Sequence, residues 1–210
     1  MIKKFKGFFK RFFSRLFKSK KKVKLGLYGP PNGGKTTLAN KICVDWLGEE
    51  MGSVSNVAHE TREIQVKEHI TIKSKGKELS FNLVDTPGIA TKIDYEEFVK
   101  IGMNEKEAKG RAKEATKGVI DSIKWLDDMD TVIVILDATQ DPYSQVNITI
   151  IGNLEARKIP VLIVANKVDL KKANIKKIHA AFPQYEVLGI SAKFGKNMDE
   201  FYEKLFELAG

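Results

Sequence analysis

The chain has 210 residues, of which 42% are hydrophobic and 30% charged, so it is long enough for one domain with a sizeable core. Its formal net charge is +9, and it contains three histidines, without metal-ligand spacing, and one cysteine. A single cysteine excludes an internal disulfide, which suits a reducing cytoplasm.

The positive charge belongs to the N-terminus. Residues 1–24 carry 11 lysines and arginines and no acidic residue, whereas residues 25–210 carry 25 basic and 27 acidic side chains. Large apolar residues recur at helical spacing in this segment: Phe5, Phe8, Phe9, Phe12, Phe13, Leu16 and Phe17. A helix would gather them on one face, with most cations opposite, and would lie flat in a membrane interface. We therefore predict a tail, residues 1–22, that binds an anionic membrane surface.

Other roles for this tail stay open. A nucleic-acid arm would use the same charges, although it does not need so regular an apolar stripe. A helix docked in the groove of a protein partner or a ribosome fits the stripe as well as lipid does. An organelle-targeting sequence is a further alternative, although its lysine dominance argues against removal. Because the segment has no uninterrupted apolar stretch, it is neither a signal peptide nor a spanning helix.

A phosphate-binding motif follows the tail. Alternating apolar residues predict a strand over Val23–Tyr28, and Thr37–Leu47 reads as a helix. Between them, residues 29–36 read Gly-Pro-Pro-Asn-Gly-Gly-Lys-Thr, which is the phosphate-loop pattern. In this motif Lys35 reaches the terminal phosphates and the Thr36 hydroxyl ligates magnesium, so we expect a nucleoside triphosphate as ligand.

The residues before Lys35 explain how such a loop holds phosphate. Gly33 and Gly34 let the backbone fold closely around phosphate oxygens, and the helix N-terminus stabilises the anion. Pro30 and Pro31 lack amide hydrogens, so the donors begin at Asn32.

The next strand brings a carboxylate to the same place. Residues 79–84 alternate as a buried strand and end in Asp85-Thr86-Pro87-Gly88. Because this strand ends beside the phosphate loop, Asp85 is a candidate magnesium ligand, through water.

Helical spacing then covers residues 105–129. Asn104 is a candidate N-cap, and the apolar positions predict a helix that covers one face of the sheet.

The second half of the chain alternates strands with helices. We predict strands at residues 131–137, 161–165 and 186–190, and helices at residues 144–157, 171–181 and 197–209. This pattern predicts an α/β fold with a mostly parallel central sheet and helices on both faces.

Two loops of this half indicate a guanine site. The apolar strand 161–165 delivers Asn166-Lys167-Val168-Asp169 to its end. Asp169 can accept two hydrogen bonds from the ring N1–H and exocyclic amine of guanine, a donor pair that adenine lacks on that edge. Ser191, Ala192 and Lys193 follow the last strand as a candidate loop under the base.

In this order the motifs of residues 23–209 resemble the translation-factor-related GTPases, and most of all the Era, TrmE and Obg-type group. The resemblance implies a Ras-like P-loop domain over residues 23–210, with a helical insertion around 89–130. It also implies magnesium-dependent GTP binding, slow hydrolysis, and GTP and GDP forms that differ in two switch segments. Era proteins carry a further RNA-binding domain; we expect none here, which puts an Era-type role on ribosomal RNA in doubt.

The resemblance assigns further residues. It gives the nucleotide-binding set as Asn32, Gly33, Gly34, Lys35, Thr36, Thr37, Asn166, Lys167, Asp169, Ser191, Ala192 and Lys193. Switch I falls within residues 48–63, where Thr61, followed by Arg62, would close over magnesium in the GTP state. Asn32 matches the residue with which relatives hold a potassium ion; the alternative is an Asn that tolerates a tight turn.

Switch II begins at Gly88, whose amide would contact the γ-phosphate. Ras-like proteins carry a glutamine next to orient the attacking water, and here that residue is Ile89. We therefore predict slow intrinsic turnover, accelerated by potassium, another residue, dimerisation or a partner. Arg62 and Arg111 are candidate arginine fingers or solvated surface charges, and residues 93–111 are a candidate partner surface.

The sequence thus predicts a cytoplasmic GTPase switch that is peripheral at the inner face of the membrane. The alternative is a nucleotide-gated module that docks on the ribosome, RNA or a protein through the tail.

Overall fold

The computed structural model describes residues 23–51, 63–74, 77–90 and 93–209. Its strands are β1 (Val23–Tyr28), β2 (Gln65–Ser74), β3 (Lys77–Asp85), β4 (Thr131–Asp137), β5 (Val161–Asn166) and β6 (Glu186–Gly189). Its α-helices are α1 (Lys35–Leu47), α2 (Tyr95–Lys100), α3 (Glu105–Trp125), α4 (Gln145–Ala156), α5 (Ile175–Ala181) and α6 (Met198–Ala209). The predicted tail lies outside the described residues.

Within these ranges six strands form one sheet in the order β2-β3-β1-β4-β5-β6. β2 pairs antiparallel with β3, and every other neighbouring pair is parallel. The central strands are apolar along their length because both faces of the sheet are covered; all six residues of β5 are buried. The predicted mostly parallel sheet is confirmed.

Helices cover the two faces. Leu38 and Ile42 of α1 and Phe201 of α6 pack with the strands in one buried cluster. Ile150 of α4 and Ile178 of α5 belong to a second cluster, against which Val119, Ile123 and Trp125 of α3 also pack. α3 thus covers a sheet face, as its spacing predicts.

Several boundaries differ from the predicted ones. α1 begins at Lys35, inside the phosphate loop, rather than at Thr37. α3 ends at Trp125 and passes into a 3-10 turn, Leu126–Asp128, short of residue 129. The helix predicted from residue 171 begins at Ile175, because the Asn174 side chain accepts a hydrogen bond from the Lys177 amide and caps the helix there.

No helix in the described ranges combines the length and the apolar character needed to cross a membrane.

Candidate nucleotide-binding site

Those predicted site residues that the structure describes lie at the carboxyl end of the sheet. β1 lies between β3 and β4, so the chain leaves β1 and β4 toward opposite sides of the sheet. In open α/β sheets the crevice at such a reversal is where ligands bind. The loop after β1 and the residues ending β3 and β5 all reach this crevice.

The phosphate loop closes tightly onto its neighbours. Gly34 has φ of 97° and immediately precedes α1. A Cβ at this position would overlap the Asn166 amide nitrogen, so a side chain is excluded both by conformation and by space. Asn32 also has a left-handed backbone, with φ of 57°, and its side chain is exposed.

Lys35 is buried within the loop that it follows. Its ammonium donates hydrogen bonds to the carbonyl oxygens of Gly29, at 3.3 Å, and Pro30, at 2.9 Å. Burial lowers the pKa of Lys35 to about 8, although the nearby Asp85 carboxylate opposes the shift. The charged form is therefore costly here, and an anion in the crevice would stabilise it.

Thr36 and Asp85 form the contact between the loop and β3. The Thr36 hydroxyl donates to Asp85 Oδ2 at 2.6 Å, while buried Asp85 Oδ1 has no hydrogen-bond partner among the described residues. Burial raises the pKa of Asp85, against the lowering effects of the Thr36 hydrogen bond and the Lys35 charge. A hydroxyl beside a carboxylate with one unsatisfied oxygen is a donor set that fits a hard divalent cation such as Mg²⁺.

The segment after Asp85 is pinned to β1 and the phosphate loop. The Thr86 hydroxyl donates to Leu27 O at 2.8 Å, and the Ile89 amide donates to Gly29 O at 3.1 Å. A Cβ at Gly88 would come within 2.7 Å of the Pro31 backbone, so only glycine allows this approach. The Ile89 side chain is 2% exposed and packs in the core.

Asn166 joins three loops on the other side of the crevice. Its amide nitrogen donates to Gly33 O, and its amide oxygen accepts from the Ala192 backbone, each at 3.0 Å. Asn166 is buried, so both ends of its side chain hold loops together. Ser191 is buried beside it and pairs through its backbone with Lys196. Asp169 and Lys193 are exposed.

A family model described as 50S ribosome-binding GTPase matches residues 24–167. The chain belongs to this family. It is a GTPase, and the resemblance to the Era, TrmE and Obg-type group is confirmed.

Individual relatives agree. The tRNA modification GTPase MnmE of Bordetella petrii is 32% identical over 184 residues, which cover 88% of this chain and 33% of that protein. This chain spans about a third of the length of the curated relatives that it matches first.

Solved structures share the fold. One is a variant of Aquifex aeolicus Era bound to GDP and AlF4⁻, with TM-score 0.67 and 24% identity, covering 90% of this chain and 57% of that one. Another is Era in complex with MgGDPNP and part of 16S ribosomal RNA, with TM-score 0.68, 23% identity and the same coverages. The predicted Ras-like P-loop fold is confirmed.

The GTPase also contains site residues that its motifs did not reveal. Asp137 is the last residue of β4. Its carboxylate accepts hydrogen bonds from Lys167 Nζ at 2.6 Å and from the Thr139 hydroxyl at 2.7 Å. Burial alone would raise the pKa of Asp137, but these hydrogen bonds hold it below its ordinary value. The sequence signal that could have identified Asp137 is its position as a polar residue at the end of an apolar strand.

A second unpredicted contact ties α3 to Pro87, just before the predicted switch II. The buried Tyr28 hydroxyl donates to Ser122 O at 3.0 Å, and the Ser122 hydroxyl donates to Gly118 O at 2.7 Å and to Pro87 O at 3.4 Å. No sequence motif marks Ser122, because its role follows from where α3 lies.

The candidate arginine fingers have different outcomes. Arg111 is not a solvated surface charge: it is 5% exposed, lies 5.9 Å from the Phe98 ring centroid and 3.5 Å from Glu114. It is buried because α2 packs over that face of α3. Arg62 and Thr61 lie outside the described residues.

Proposed function

We propose that this GTPase cycles between GTP and GDP forms at an anionic membrane surface, to which residues 1–22 recruit it. The observation that carries the nucleotide part is the Thr36–Asp85 pair beside buried Lys35, with one carboxylate oxygen unsatisfied. The membrane part is supported by the confinement of the excess positive charge to the N-terminus.

On the phosphate side, Lys35 exchanges its two carbonyl partners for β- and γ-phosphate oxygens. Amides of residues 32–37 point at the phosphates from the start of α1. Thr36 and Asp85, the latter through water, would hold magnesium, and Thr61 would complete the set from the predicted switch I. Bound magnesium would neutralise charge on the phosphate oxygens.

On the base side, Asp169 accepts the two guanine hydrogen bonds. Asn166 positions the phosphate loop against the loop of Ser191, Ala192 and Lys193, an assignment supported by its two hydrogen bonds. Lys167, stretched to Asp137 across the end of β4, covers the base with its aliphatic chain.

Hydrolysis transfers the γ-phosphoryl group of GTP to water, and GDP leaves with the β–γ bridging oxygen. The Gly88 amide contacts the γ-phosphate, which makes switch II sensitive to the bound nucleotide. Because Ile89 is packed in the core, no side chain at that position orients the water. Charge stabilisation then comes from Lys35 and from a potassium ion held by Asn32, or from a partner or a nucleotide-dependent dimer.

Co-sedimentation of the full chain with vesicles tests the recruitment. We expect binding to vesicles with anionic lipid, and none to neutral vesicles, in at least one of the GDP and GTP-analogue forms. Reversing Lys4, Lys10 and Lys18 to Glu removes about 3 kcal/mol of attraction, so vesicle partition should fall by about a hundredfold or more.

The matched control reverses three exposed lysines of the domain, Lys171, Lys172 and Lys176, to Glu. This control should sediment like the unchanged chain. That result would show that the change in net charge alone does not cause the loss of vesicle binding in the tail variant. Equal losses in the two triple variants, or equal binding to neutral vesicles, would rule out tail-directed recruitment.

A second candidate function is a nucleotide-gated module on the ribosome or RNA, with the tail as the contact. The family description names ribosome binding, and one structure of the same fold is bound to 16S ribosomal RNA. RNA or ribosome capture that depends on the same tail lysines, without vesicle binding, would favour this function over membrane recruitment.

A further inference from the structure

A groove of about 460 Å³ runs along α3 beside the switch segments. Its apolar lining comes from Ile64, just before β2, Pro87, just before the predicted switch II, and Trp125 at the end of α3. Among the described residues, its charged lining is Glu63, Glu114 and Asp121, against a single cation, Lys117. The groove thus combines an apolar lining with a net negative charge.

The N-terminal segment enters the fold next to this groove. The Lys24 amide donates to Asp130 Oδ2 at 2.8 Å, and the Asp130 amide donates back to Lys24 O at 3.1 Å. Asp130 is five residues after Trp125, so the chain enters β1 within about 17 Å of the near end of the groove. Exposed Asp127 and Asp128 lie between the two places.

We propose that this groove docks the chain's own residues 1–22, and that its occupancy depends on the bound nucleotide. The segment offers ten basic residues and no acidic one, and its phenylalanine stripe complements the apolar lining. As a helix, 22 residues would span about 33 Å, enough to reach from the entry point along the groove to about Glu114.

The nucleotide dependence follows from the lining. Pro87 directly precedes the predicted switch II and accepts from Ser122 of α3, so a movement of switch II that carries Pro87 with it changes the groove. A docked segment hides its apolar face, whereas a released one exposes it. Docking of this segment in the groove is distinct from membrane recruitment and can be tested without lipid.

Energy transfer to a label on the tail tests the docking in the full chain. Ser14→Cys carries a dansyl acceptor, while the native Cys43 is buried. Trp46→Phe leaves Trp125 as the donor, since the chain has two tryptophans. We expect strong transfer in one nucleotide form, GDP or a non-hydrolysable GTP analogue, weaker transfer in the other, and no change on dilution.

Asp121→Lys with Asp128→Lys reverses charge in and near the groove, and should weaken docking by about tenfold. Asp199→Lys with Glu200→Lys, on α6 at the other sheet face, makes the same change in net charge and should leave the transfer unaltered. Equal transfer in the two double variants would overturn the docking. Transfer that falls on dilution would assign the groove to a second copy of the chain. Equal transfer with GDP and with the GTP analogue would overturn the dependence of docking on the nucleotide.

The unmodified chain provides a check that does not depend on the label. Carbodiimide treatment should join tail lysines to Asp121 or Glu114 within one chain. Cross-links only between chains, or only elsewhere on the domain, would overturn the proposal.

Discussion

The site shapes the ionisation of Lys35. Its ammonium is buried, its pKa is about 8, and it donates hydrogen bonds to the neutral carbonyls of Gly29 and Pro30. A nucleotide phosphate adds negative charge beside it and restores a high pKa. Nucleotide binding is therefore linked to protonation of this side chain.

At pH 8.5 we expect GDP binding to take up a proton, because Lys35 is largely neutral in the free site and charged in the complex. Nucleotide affinity should be constant well below pH 8 and fall as pH rises above it. Titration calorimetry in buffers of different ionisation enthalpy measures the proton. Heats that are independent of the buffer at pH 8.5 would contradict this account of Lys35.

The burial of Lys35 also makes the free energy of unfolding depend on pH. Its pKa lies below the ordinary value of 10.5, so the folded chain binds fewer protons than the unfolded chain between about pH 8 and 10.5. This group therefore opposes folding below about pH 8, and its cost is relieved as pH rises through that window. Chemical unfolding of the nucleotide-free chain, compared with Lys35→Met, measures the difference.

Asp169 should decide which base is bound. In Asp169→Asn one oxygen acceptor becomes an NH₂ donor, which opposes the donors of guanine but matches the additional carbonyl of xanthine. Two charge-assisted hydrogen bonds are affected, so GTP affinity should fall by about a hundredfold or more and XTP affinity should rise. Asp199→Asn is the control, and unchanged GTP binding in Asp169→Asn would remove Asp169 from the site.

At the scale of elements, α3 is the longest helix in the described residues, with 21 residues between β3 and β4. It begins with a capping box, in which the Asn104 side chain accepts from the Glu107 amide and Glu107 reaches back to the Asn104 amide. The buried positions of α3 cover the sheet, and Ser122 joins it to Pro87. The capping box thus stabilises the start of the helix whose later turn holds Pro87.

Asn104→Ala should lower the free energy of unfolding by about 1 kcal/mol, because one helix amide loses its acceptor. For a chain of this size that corresponds to a decrease in Tm of about 2–4 °C. Thr116→Ala in the exposed middle of α3 is the control and should not lower the Tm. A Tm of Asn104→Ala equal to that of the control would show that α3 does not need its cap.

Switch II provides a second test at this scale. Ile89→Gln restores the residue type found in Ras-like proteins, but in the described structure it would place an amide in an apolar cluster. We expect no faster hydrolysis and a loss of stability of about 2–4 kcal/mol. Thermal unfolding and single-turnover hydrolysis measure the two effects; accelerated hydrolysis would mean that this segment moves out of the core.

The sequence was sufficient to predict those helices and strands whose apolar residues follow one regular pattern. Apolar runs such as 161–165 predict buried strands, and Lys35, Thr36 and Asp85 were identified because motif and strand end coincide. Contacts that depend on how distant elements pack were not predictable: Ser122 on Pro87, Asp137 on Lys167, and the burial of Arg111 under α2. The helix predicted from residue 171 was too long because the Asn174 cap competes with helical spacing.

At the scale of the whole molecule, charge divides the chain into two parts. Residues 25–210 are close to neutral with a slight acidic excess, while the segment before them is basic and free of carboxylates. The proposed membrane role and the proposed groove both use this contrast, in competition with each other. Raising the ionic strength should weaken both interactions.

Steady-state hydrolysis by the full chain is the measurement that tests the central claim most directly. With Mg²⁺ we expect slow conversion of GTP to GDP, negligible turnover of ATP, stimulation by K⁺ over Na⁺, and loss of magnesium dependence together with activity in Asp85→Asn. Equal turnover of GTP and ATP, or full activity in Asp85→Asn, would contradict the assignment of this crevice as a magnesium-dependent guanine-nucleotide site.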